Sequence, residues 1–475
     1  MRPNVIVLVL DTARADALEP YAAPAGSSPV IADLARRGTA FESAYATACW
    51  TLPSHASMFT GMLPRAAGVF DLPEGNPLGA GQVMARHADR MLPEILRRAG
   101  YSTAAVSTNL WVTELSGFGA GFDSFEFVDT GRQARMHRED VRSRLRWDAE
   151  TARARVDDGA ERALEALVRL ADGPPSQPFF WFVNLVECHS PYLPPKPYND
   201  LGPIDRLRAA EEARHYLTLG AIWKACVGAI HVPDDALERM RHLYARSVLM
   251  LDAWLGRLLE ALDGRGLLDD TLILATSDHG ENFGENGYMA HAFSLDDRLL
   301  HVPLIAAGPG AAADGGVVSL ADLPRLISGA AGIESHPWGD ARSDGFAAAQ
   351  FEPPAREEHP KWRPAFAEWG VDYDFAINRL ARELTCVTDG RLKLQRRGTE
   401  EELYDLDADP LEEAPRSPVE HGDQAAVARM HERLEEIERE DARADAAAAA
   451  PTDAPQISEE ERRELEERMK LLGYM

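Results

Sequence analysis

The chain has 475 residues, and its 50 Lys and Arg against 77 Asp and Glu give a net charge of −27. This acidic balance excludes a protein that binds nucleic acid through a basic surface, because affinity for the phosphate backbone comes from clustered Lys and Arg. It does not exclude an anionic substrate, since a bound metal ion can dominate the charge of a local site. The hydrophobic fraction of 45% with 27% charged residues is typical of an ordinary globular protein.

The cysteines and the apolar runs indicate where in the cell the protein is expected. The four cysteines show no CxxC spacing, so they indicate neither a zinc ribbon nor a disulfide framework. No apolar run reaches the length of about 18 residues that a membrane span needs. After Met1-Arg2-Pro3 the chain enters an apolar run without a cleavage site, so we expect no signal peptide and a cytoplasmic protein.

Short apolar runs alternate with helical patterns along the first 310 residues, as in a parallel sheet flanked by helices. The predicted strands are Val5–Leu10, Ser102–Val106, Phe179–Val186, Thr271–Ala275 and Val302–Ala306. The pattern therefore predicts an α/β fold with a mostly parallel sheet sandwiched by helices.

Two helices are well marked between these strands. Ser28-Pro29 is a cap followed by Pro at the first helical position, and Gly38 ends that helix. A longer helix is predicted over residues 234–262 from its apolar spacing. The charged segment 127–175 and the segment 195–232 are predicted to be excursions that select the leaving group.

The pattern changes after about residue 345, where a smaller α+β unit is expected. Phe375–Asp389 and Leu392–Leu394 are interpreted as short strands, and the Ala-, Asp- and Pro-rich stretch 440–456 as a linker. A final helix is predicted from the capping box of Ser458 and Glu461. The predicted organisation is a catalytic domain over 1–345, a C-terminal α+β subdomain over 346–440, and a linker with a terminal helix over 441–475.

Polar side chains follow four of the predicted strands. Asp11 follows the first strand, Asn109 the second, Glu187 and His189 the third, and Asp278-His279 the fourth. Because ligands bind beyond the carboxyl ends of the strands in open parallel sheets, these side chains are expected to converge. Asp and His suit a divalent cation such as Zn²⁺, Mn²⁺, Ca²⁺ or Mg²⁺, although Asp11 alone could equally be a helix cap.

The stretch from Cys49 to Gly61 (CWTLPSHASMFTG) is a second feature that could take part in catalysis. Pro53 fits the first position of a helix and Gly61 its end, so Thr51 is expected just before a helix N-terminus, where backbone N–H groups favour an anion. A hydroxyl beside a metal there is a plausible nucleophile. The alternative is that Thr51 only caps the helix.

Several motifs in order along the chain resemble the sulfatase family of the alkaline phosphatase superfamily. They are Asn4–Asp16 (NVIVLVLDTARAD), Trp50–Gly61 (WTLPSHASMFTG), His189–Tyr192 (HSPY), Thr276–Gly284 (TSDHGENFG), His301–Ile305 (HVPLI), Glu402–Pro410 (ELYDLDADP) and Leu471–Tyr474 (LLGY). The resemblance spans nearly the whole chain and implies an alkaline-phosphatase-like fold and ester hydrolysis. It is less specific for substrate.

Carried over residue by residue, the resemblance implies a role for each matching position. Asp11, Asp278 and His279 match the metal ligands, and Thr51 matches the nucleophile and a further ligand. His189 matches a histidine near the leaving group. His291, twelve residues after His279, falls where related esterases often place a lysine.

Substrate contacts and a second metal are implied less specifically. Asn109 and His55 are the candidate substrate contacts. Glu187, His189, His291 and His301 remain possible ligands of a second metal.

The departures from the family pattern bear on the chemistry. Sulfatases convert Cys or Ser of a C/S-x-P-x-R motif into formylglycine, whereas here those positions are Thr51, Pro53 and His55. Threonine cannot yield that aldehyde by the same route, so no formylglycine is expected. Thr12 replaces a second adjacent carboxylate, and the resulting set resembles the metal-bound threonine of superfamily phosphodiesterases and phosphoethanolamine transferases.

The leading hypothesis is a metal-dependent hydrolase that cleaves phosphate-type esters (phosphodiester, phosphonate or phosphate monoester) through Thr51. A divalent ion, Zn, Mn or Ca, is the expected cofactor, and the partner is a small anionic ester. The alternatives are a sulfatase that works without formylglycine, a phosphoryl-type transferase, and a non-catalytic binding protein on the same fold. Oligomeric state and metal number are left open.

Overall fold

The computed structural model describes residues 2–69, 77–136, 138, 140–173, 178–313, 315–339, 345–353, 359–420 and 422–448. The predicted capping box of Ser458 and Glu461 lies outside the described residues. Within them, no helix is both long and apolar enough to cross a membrane.

The strands form a large central sheet, a smaller C-terminal sheet and two short pairs. They are β1 (Asn4–Leu10), β2 (Thr39–Ala40), β3 (Ala44–Tyr45), β4 (Ser102–Ser107), β5 (Ser124–Phe127), β6 (Phe179–Leu185), β7 (Thr271–Thr276), β8 (Asn282–Phe283), β9 (Met289–Ala290), β10 (Leu304–Ala307), β11 (Val318–Ser319), β12 (Ala347–Phe351), β13 (Leu384–Thr388), β14 (Leu392–Arg397) and β15 (Glu400–Asp405).

The helices connect and cover these sheets. They are α1 (Pro29–Arg37), α2 (Thr51–Thr60), α3 (Pro64–Ala67), α4 (Pro77–Met84), α5 (Leu92–Arg98), α6 (Arg132–Met136), α7 (Val141–Arg153), α8 (Ala160–Asp172), α9 (Pro203–Tyr216), α10 (Leu219–Cys226), α11 (Asp234–Asp263), α12 (Asp297–Leu300), α13 (Leu323–Ala330), α14 (Trp362–Trp369), α15 (Tyr373–Leu380) and α16 (Gln424–Ala448). Short 3₁₀ turns span Ala15–Ala17, Ala85–Arg90, Leu268–Asp270, Glu285–Gly287, Leu320–Asp322 and Pro418–Glu420.

The central sheet has the order β2-β10-β7-β1-β6-β4-β5. Its middle is parallel: β1 pairs with β6 and β7, and β4 pairs with β6 and β5. All seven residues of β1 and of β6 are buried, as expected for parallel strands covered by helices on both faces. The predicted α/β fold with a mostly parallel sheet is therefore confirmed, and the last predicted strand, β10, runs antiparallel to β7.

Helix α1 begins and ends where the sequence predicts, but its N-terminus is capped by a different residue. Ser28 makes no capping hydrogen bond to the helix. Instead, the buried carboxylate of Asp252 on α11 accepts hydrogen bonds from the backbone N–H groups of Val30 (3.1 Å) and Ile31 (2.8 Å). The two helices are thus joined through a cap that lies more than 200 residues away along the chain.

The C-terminal sheet is antiparallel, in the order β12-β13-β14-β15, and α16 packs on it. Val387, Leu394 and Leu403 of the sheet share a small core with Val427 and Met430 of the helix. The smaller C-terminal sheet subdomain expected from the sequence is therefore present.

Two predicted elements of this part of the chain are wrong in part, although β13 (Leu384–Thr388) lies within the predicted strand Phe375–Asp389. The first part of the predicted strand Phe375–Asp389 is helical (α15), because the Asp372 side chain caps the helix through the Phe375 N–H and Ala376, Ile377 and Leu380 bury a helical face. The predicted linker 440–456 is helical up to Ala448, since α16 continues into the alanine-rich stretch, and the rest of the predicted linker lies outside the described residues. The proposed domain boundary at 440 therefore falls inside a helix.

Candidate active site

The predicted site residues lie at the carboxyl end of the parallel strands. Asp11 follows β1, Asn109 follows β4, His189 follows β6, and Asp278-His279 follow β7. The N-terminus of α2 brings Thr51 to the same edge, where its hydroxyl lies 3.3 Å from Nε2 of His279. The strand order thus converts residues up to 268 positions apart into neighbours, as the topology of open parallel sheets predicts.

Asp11, Asp278 and His279 form a cluster that can hold a metal ion. One ligand atom from each lies within 4.8 Å of the others, and all three side chains are fully buried. Oδ1 of Asp11 and Oδ2 of Asp278 have no hydrogen-bond partner among the described residues. Two buried carboxylates with unpartnered oxygens are costly without a cation, so the donor set fits a divalent metal.

Electrostatics support the same conclusion. Burial raises the pKa of Asp278 well above its usual value, and the neighbouring Asp11 carboxylate raises it further. Burial also lowers the pKa of His279, so its ring is neutral, and Nδ1 donates to the Gly280 carbonyl oxygen at 3.0 Å. Nε2 therefore carries the lone pair and faces the cluster, as in histidines that bind metals.

Asn109 joins the nucleophile candidate to this cluster. Its amide nitrogen donates to Oδ2 of Asp11 at 2.7 Å and lies 3.5 Å from Oγ1 of Thr51. The helix α2 begins at Thr51 itself, two residues before the predicted start at Pro53. The first N–H groups of a helix favour an anion beside the Thr51 hydroxyl. The structure thus brings Asp11, Thr51, Asn109, Asp278 and His279 together.

His55, the other expected substrate contact, lies inside the protein. The ring is fully buried and both nitrogens are engaged: Nδ1 donates to the Thr51 carbonyl oxygen at 2.9 Å, and Nε2 accepts from the Asn184 amide at 2.9 Å. Burial lowers the pKa of His55 to about 4, so the ring is neutral near pH 7. His55 supports the backbone of Thr51 from inside the protein.

His189 and His291 lie beside the metal cluster on its more open side. The His291 ring centroid is 4.6 Å from that of His279 and 4.7 Å from that of His189. Nδ1 of His291 donates to the buried Glu281 carboxylate at 3.0 Å. Burial alone would lower the pKa of His291, but Glu281 more than offsets it and the pKa is raised. Burial and the neighbouring His291 lower the pKa of His189.

Two residues considered as ligands of a second metal point elsewhere. Glu187 accepts hydrogen bonds from the backbone N–H groups of Asp158 (3.1 Å) and Ala160 (2.8 Å), so it caps α8. The His301 ring stacks on Tyr45 and bonds the Glu42 carbonyl oxygen at 2.9 Å. Neither side chain belongs to the cluster of Asp11, Asp278 and His279.

Asn184 and Glu281 are site residues that the sequence reasoning missed. Asn184 donates to Oδ2 of Asp11 at 3.3 Å as well as to His55. An amide inside the apolar run FFWFVNLV was the available signal, because a polar group buried in a strand needs partners. Glu281 lay in the recognised TSDHGE motif without an assigned role.

Comparison with known proteins agrees with this architecture. The crystal structure of the phosphonate monoester hydrolase of Agrobacterium radiobacter superposes with a TM-score of 0.64 at 22% identity, covering 93% of this chain and 96% of that chain. This similarity shows an alkaline-phosphatase-like sulfatase fold. The family model described as Sulfatase matches residues 3–333, and the chain therefore belongs to the sulfatase family.

Curated relatives of similar sequence are named as sulfatases. The choline-sulfatase of Rhizobium meliloti (strain 1021) is 25% identical over 470 residues, covering 90% of this chain and 85% of the relative. The iduronate 2-sulfatase of Homo sapiens is 27% identical over 340 residues, covering 65% of this chain and 60% of the relative. The protein is thus an enzyme, a hydrolase of the sulfatase family.

Proposed function

We propose that the protein hydrolyses phosphate-type esters, namely phosphodiesters, phosphonate esters or phosphate monoesters, with Thr51 as the nucleophile. The observation that carries the proposal is the position of the Thr51 hydroxyl, 3.3 Å from Nε2 of His279 and beside the Asp11–Asp278 pair. A threonine at this position supports a direct attack by an unmodified side chain.

The residues at the site fit a resident divalent ion, Zn, Mn or Ca, held by Asp11, Asp278, His279 and Thr51. Such an ion would lower the pKa of the Thr51 hydroxyl and neutralise charge on the non-bridging oxygens of the ester. Thr51 Oγ1 gives up its proton to solvent and forms a bond to phosphorus, while the bond from phosphorus to the leaving oxygen breaks. The Asn109 amide, which points at Asp11 and Thr51, orients the hydroxyl and is placed to contact an ester oxygen.

His291, whose pKa is raised, is the first candidate to protonate the leaving oxygen, and His189 is the second. Nδ1 of His291 is occupied by Glu281, which leaves Nε2 as the nitrogen that can donate. Nδ1 of His189 donates to the Ser190 carbonyl oxygen at 2.9 Å, and the pKa of His189 is lowered. Its Nε2 therefore carries a lone pair near neutral pH and can donate only after the ring has taken up a proton. Water then cleaves the phosphothreonine and restores the hydroxyl.

Sulfate-ester hydrolysis without formylglycine is the second candidate, and the names of the relatives favour it. The two candidate reactions differ at the atom attacked, phosphorus in one and sulfur in the other. A panel of matched nitrophenyl phosphate, phosphodiester, phosphonate and sulfate esters therefore separates them. We expect the phosphate-type esters to be cleaved fastest with Mn²⁺, Zn²⁺ or Ca²⁺. Sulfate hydrolysis far above the others would replace the proposal, and transfer to an added alcohol in place of water would indicate a transferase.

The nucleophile is tested by Thr51→Ala, with Thr51→Ser as the matched control that keeps a hydroxyl. We expect Thr51→Ala to lose at least about a thousandfold in turnover, because the bond-forming atom is gone. Metal titration should show the ion still bound by Asp11, Asp278 and His279. Thr51→Ser should retain much of the activity. Unchanged turnover in Thr51→Ala would remove Thr51 from the mechanism.

A further inference from the structure

The turn after β1 has an unusual backbone conformation. Thr12 adopts φ 63°, in the left-handed region. This conformation is costly for a β-branched residue and persists only where its surroundings hold it. The turn matters for the site because the Thr12 N–H donates to Oδ1 of Asp278 at 3.1 Å, which links the Asp11 segment to the second carboxylate.

Tyr244 of α11 holds this turn from both sides. Its buried hydroxyl donates to the Thr12 carbonyl oxygen at 2.9 Å and accepts from the Arg14 N–H at 2.8 Å. The ring is fixed by edge-on contacts with Tyr192 and Phe283, whose centroids lie 5.9 Å and 5.1 Å away. A single phenol oxygen thus bridges two peptide groups, one on each side of residue 13.

Further bonds join the same turn to the segment after β7. The Ser277 hydroxyl accepts from the Ala13 N–H at 2.8 Å and donates to the His279 carbonyl oxygen at 2.7 Å. The Arg14 guanidinium donates to the Glu281 carbonyl oxygen at 3.1 Å. These bonds connect the two ligand-bearing segments to each other, and Tyr244 ties them to a third element, the longest helix among the described residues.

We propose that Tyr244 is a positioning residue for the metal site. Its hydroxyl holds Thr12 in the left-handed conformation, and this conformation aims the Thr12 N–H at Asp278 and sets the spacing between Asp11 and Asp278. The inference rests on the metal site of the proposed function. It adds a residue of α11 that does not touch the ion and acts through the backbone of the turn.

The test compares Tyr244→Phe with Tyr101→Phe in the full-length protein. Tyr101 is a matched control because it is also buried and its hydroxyl also donates a hydrogen bond to a backbone carbonyl oxygen. The acceptor is the carbonyl oxygen of Pro3, at the opposite end of β1, and the distance is 2.9 Å. Each substitution removes one oxygen and keeps the ring. Binding of Mn²⁺, Zn²⁺ and Ca²⁺ alone is measured by calorimetry, and the unfolding midpoint is measured without metal.

We expect Tyr244→Phe to raise the dissociation constant of the ion that the wild type binds most tightly by about tenfold, as for other residues that orient metal ligands. Tyr101→Phe should bind that ion as the wild type does, even if both variants lose similar stability without metal. An unchanged constant in Tyr244→Phe, or equal increases in both variants, would overturn the positioning role.

Two further outcomes are decisive. Loss of cooperative unfolding in Tyr244→Phe would also overturn the inference, because the hydroxyl would then be required by the fold. If the wild type binds none of the three ions, the proposed metal site fails together with this inference. If the wild type binds an ion and Tyr244→Phe binds it with the same dissociation constant, the positioning role of Tyr244 fails while the proposed metal site stands.

Discussion

Asn184 is a neutral residue inside the sheet whose amide donates a hydrogen bond to a charged residue of the site. Its amide donates both to His55 and to the Asp11 carboxylate, and it is fully buried. Asn184→Asp would replace this donor by a third carboxylate about 3 Å from Asp11 in a dry environment. We expect the metal-free variant to lose about 3 kcal/mol of folding stability, and added Mn²⁺ to restore much of it.

The control for this prediction is the same substitution at the other end of β1. Asn4 is buried and accepts a hydrogen bond from the Phe179 N–H at 3.2 Å. Asn4→Asp should also destabilise the protein, but Mn²⁺ should not restore it. Thermal unfolding with and without metal measures both variants. Equal responses to metal would show that Asn184 has no special relation to the site.

Asp278 and Asn184 illustrate which site residues can and cannot be recognised in the sequence. Asp11, Asp278 and His279 were found because they follow apolar runs directly and lie in recognisable motifs. Asn184 and Tyr244 act through partners that only the folded chain brings near, such as Thr12 with Tyr244. The burial of His55 could not be predicted either, because it depends on Phe118 and Phe182, which pack around the ring.

Among the elements, α1 depends on another helix for its first turn. The Asp252 carboxylate satisfies the N–H groups of Val30 and Ile31, which would otherwise lack partners at the helix start. We expect Asp252→Ala to lower the free energy of unfolding by about 1 kcal/mol, as for the loss of a side-chain cap. Urea unfolding measures the loss.

Two further variants define the meaning of that result. Asp252→Asn keeps one accepting oxygen and should lose less than Asp252→Ala. Ser28→Ala should leave the helix cap intact, because the Ser28 hydroxyl accepts from the Glu19 N–H instead. A larger loss in Ser28→Ala than in Asp252→Ala would show that the sequence-based cap is the effective one.

Elements were predicted best where their own sequence determines them. Strands β1, β4, β6 and β7 are buried throughout, or nearly so, and hence appear as short apolar runs. The segment at Phe375 was mistaken because its apolar residues suit either a strand or a helix, and the Asp372 cap decides in favour of the helix. The extent of α16 was missed because alanine-rich sequence is compatible with both a linker and a helix.

At the scale of the whole molecule, Lys393 joins the C-terminal sheet to the catalytic part of the chain. Its fully buried ammonium group donates to the Leu295 carbonyl oxygen at 2.8 Å, lies 3.4 Å from Asp297 and forms an ion pair with Glu412. We expect Lys393→Met to lower the free energy of unfolding by about 3 kcal/mol or more, because it leaves Glu412 buried without its cation. Chemical denaturation tests this value.

The double variant Lys393→Met with Glu412→Leu is the matched comparison. Removing both charges should recover part of the stability, since a buried ion pair replaced by apolar side chains is often tolerated. A double variant that is less stable than Lys393→Met would contradict this account. The loss in Lys393→Met should be absent from Arg391→Met, whose side chain is largely exposed.

The overall architecture was predictable, whereas the way its parts are joined was not. Alternating strands and helices give the α/β class and the location of the site at one edge of the sheet. The buried contacts of Lys393 have no signature in local sequence, because its charged partners Asp297 and Glu412 each resemble an ordinary surface residue in the sequence. The division of the chain at 345 stays a prediction.

Glu187 has a consequence for protein engineering. This carboxylate lies two residues after the end of β6 and two before His189, and it holds the first turn of α8 through the Asp158 and Ala160 N–H groups. The start of α8 is therefore held by an acidic residue that follows it in the chain and lies beyond the end of β6. Exchanging α8 and its N-terminal turn between relatives would require an acidic residue at the position of Glu187 in the recipient, together with the graft.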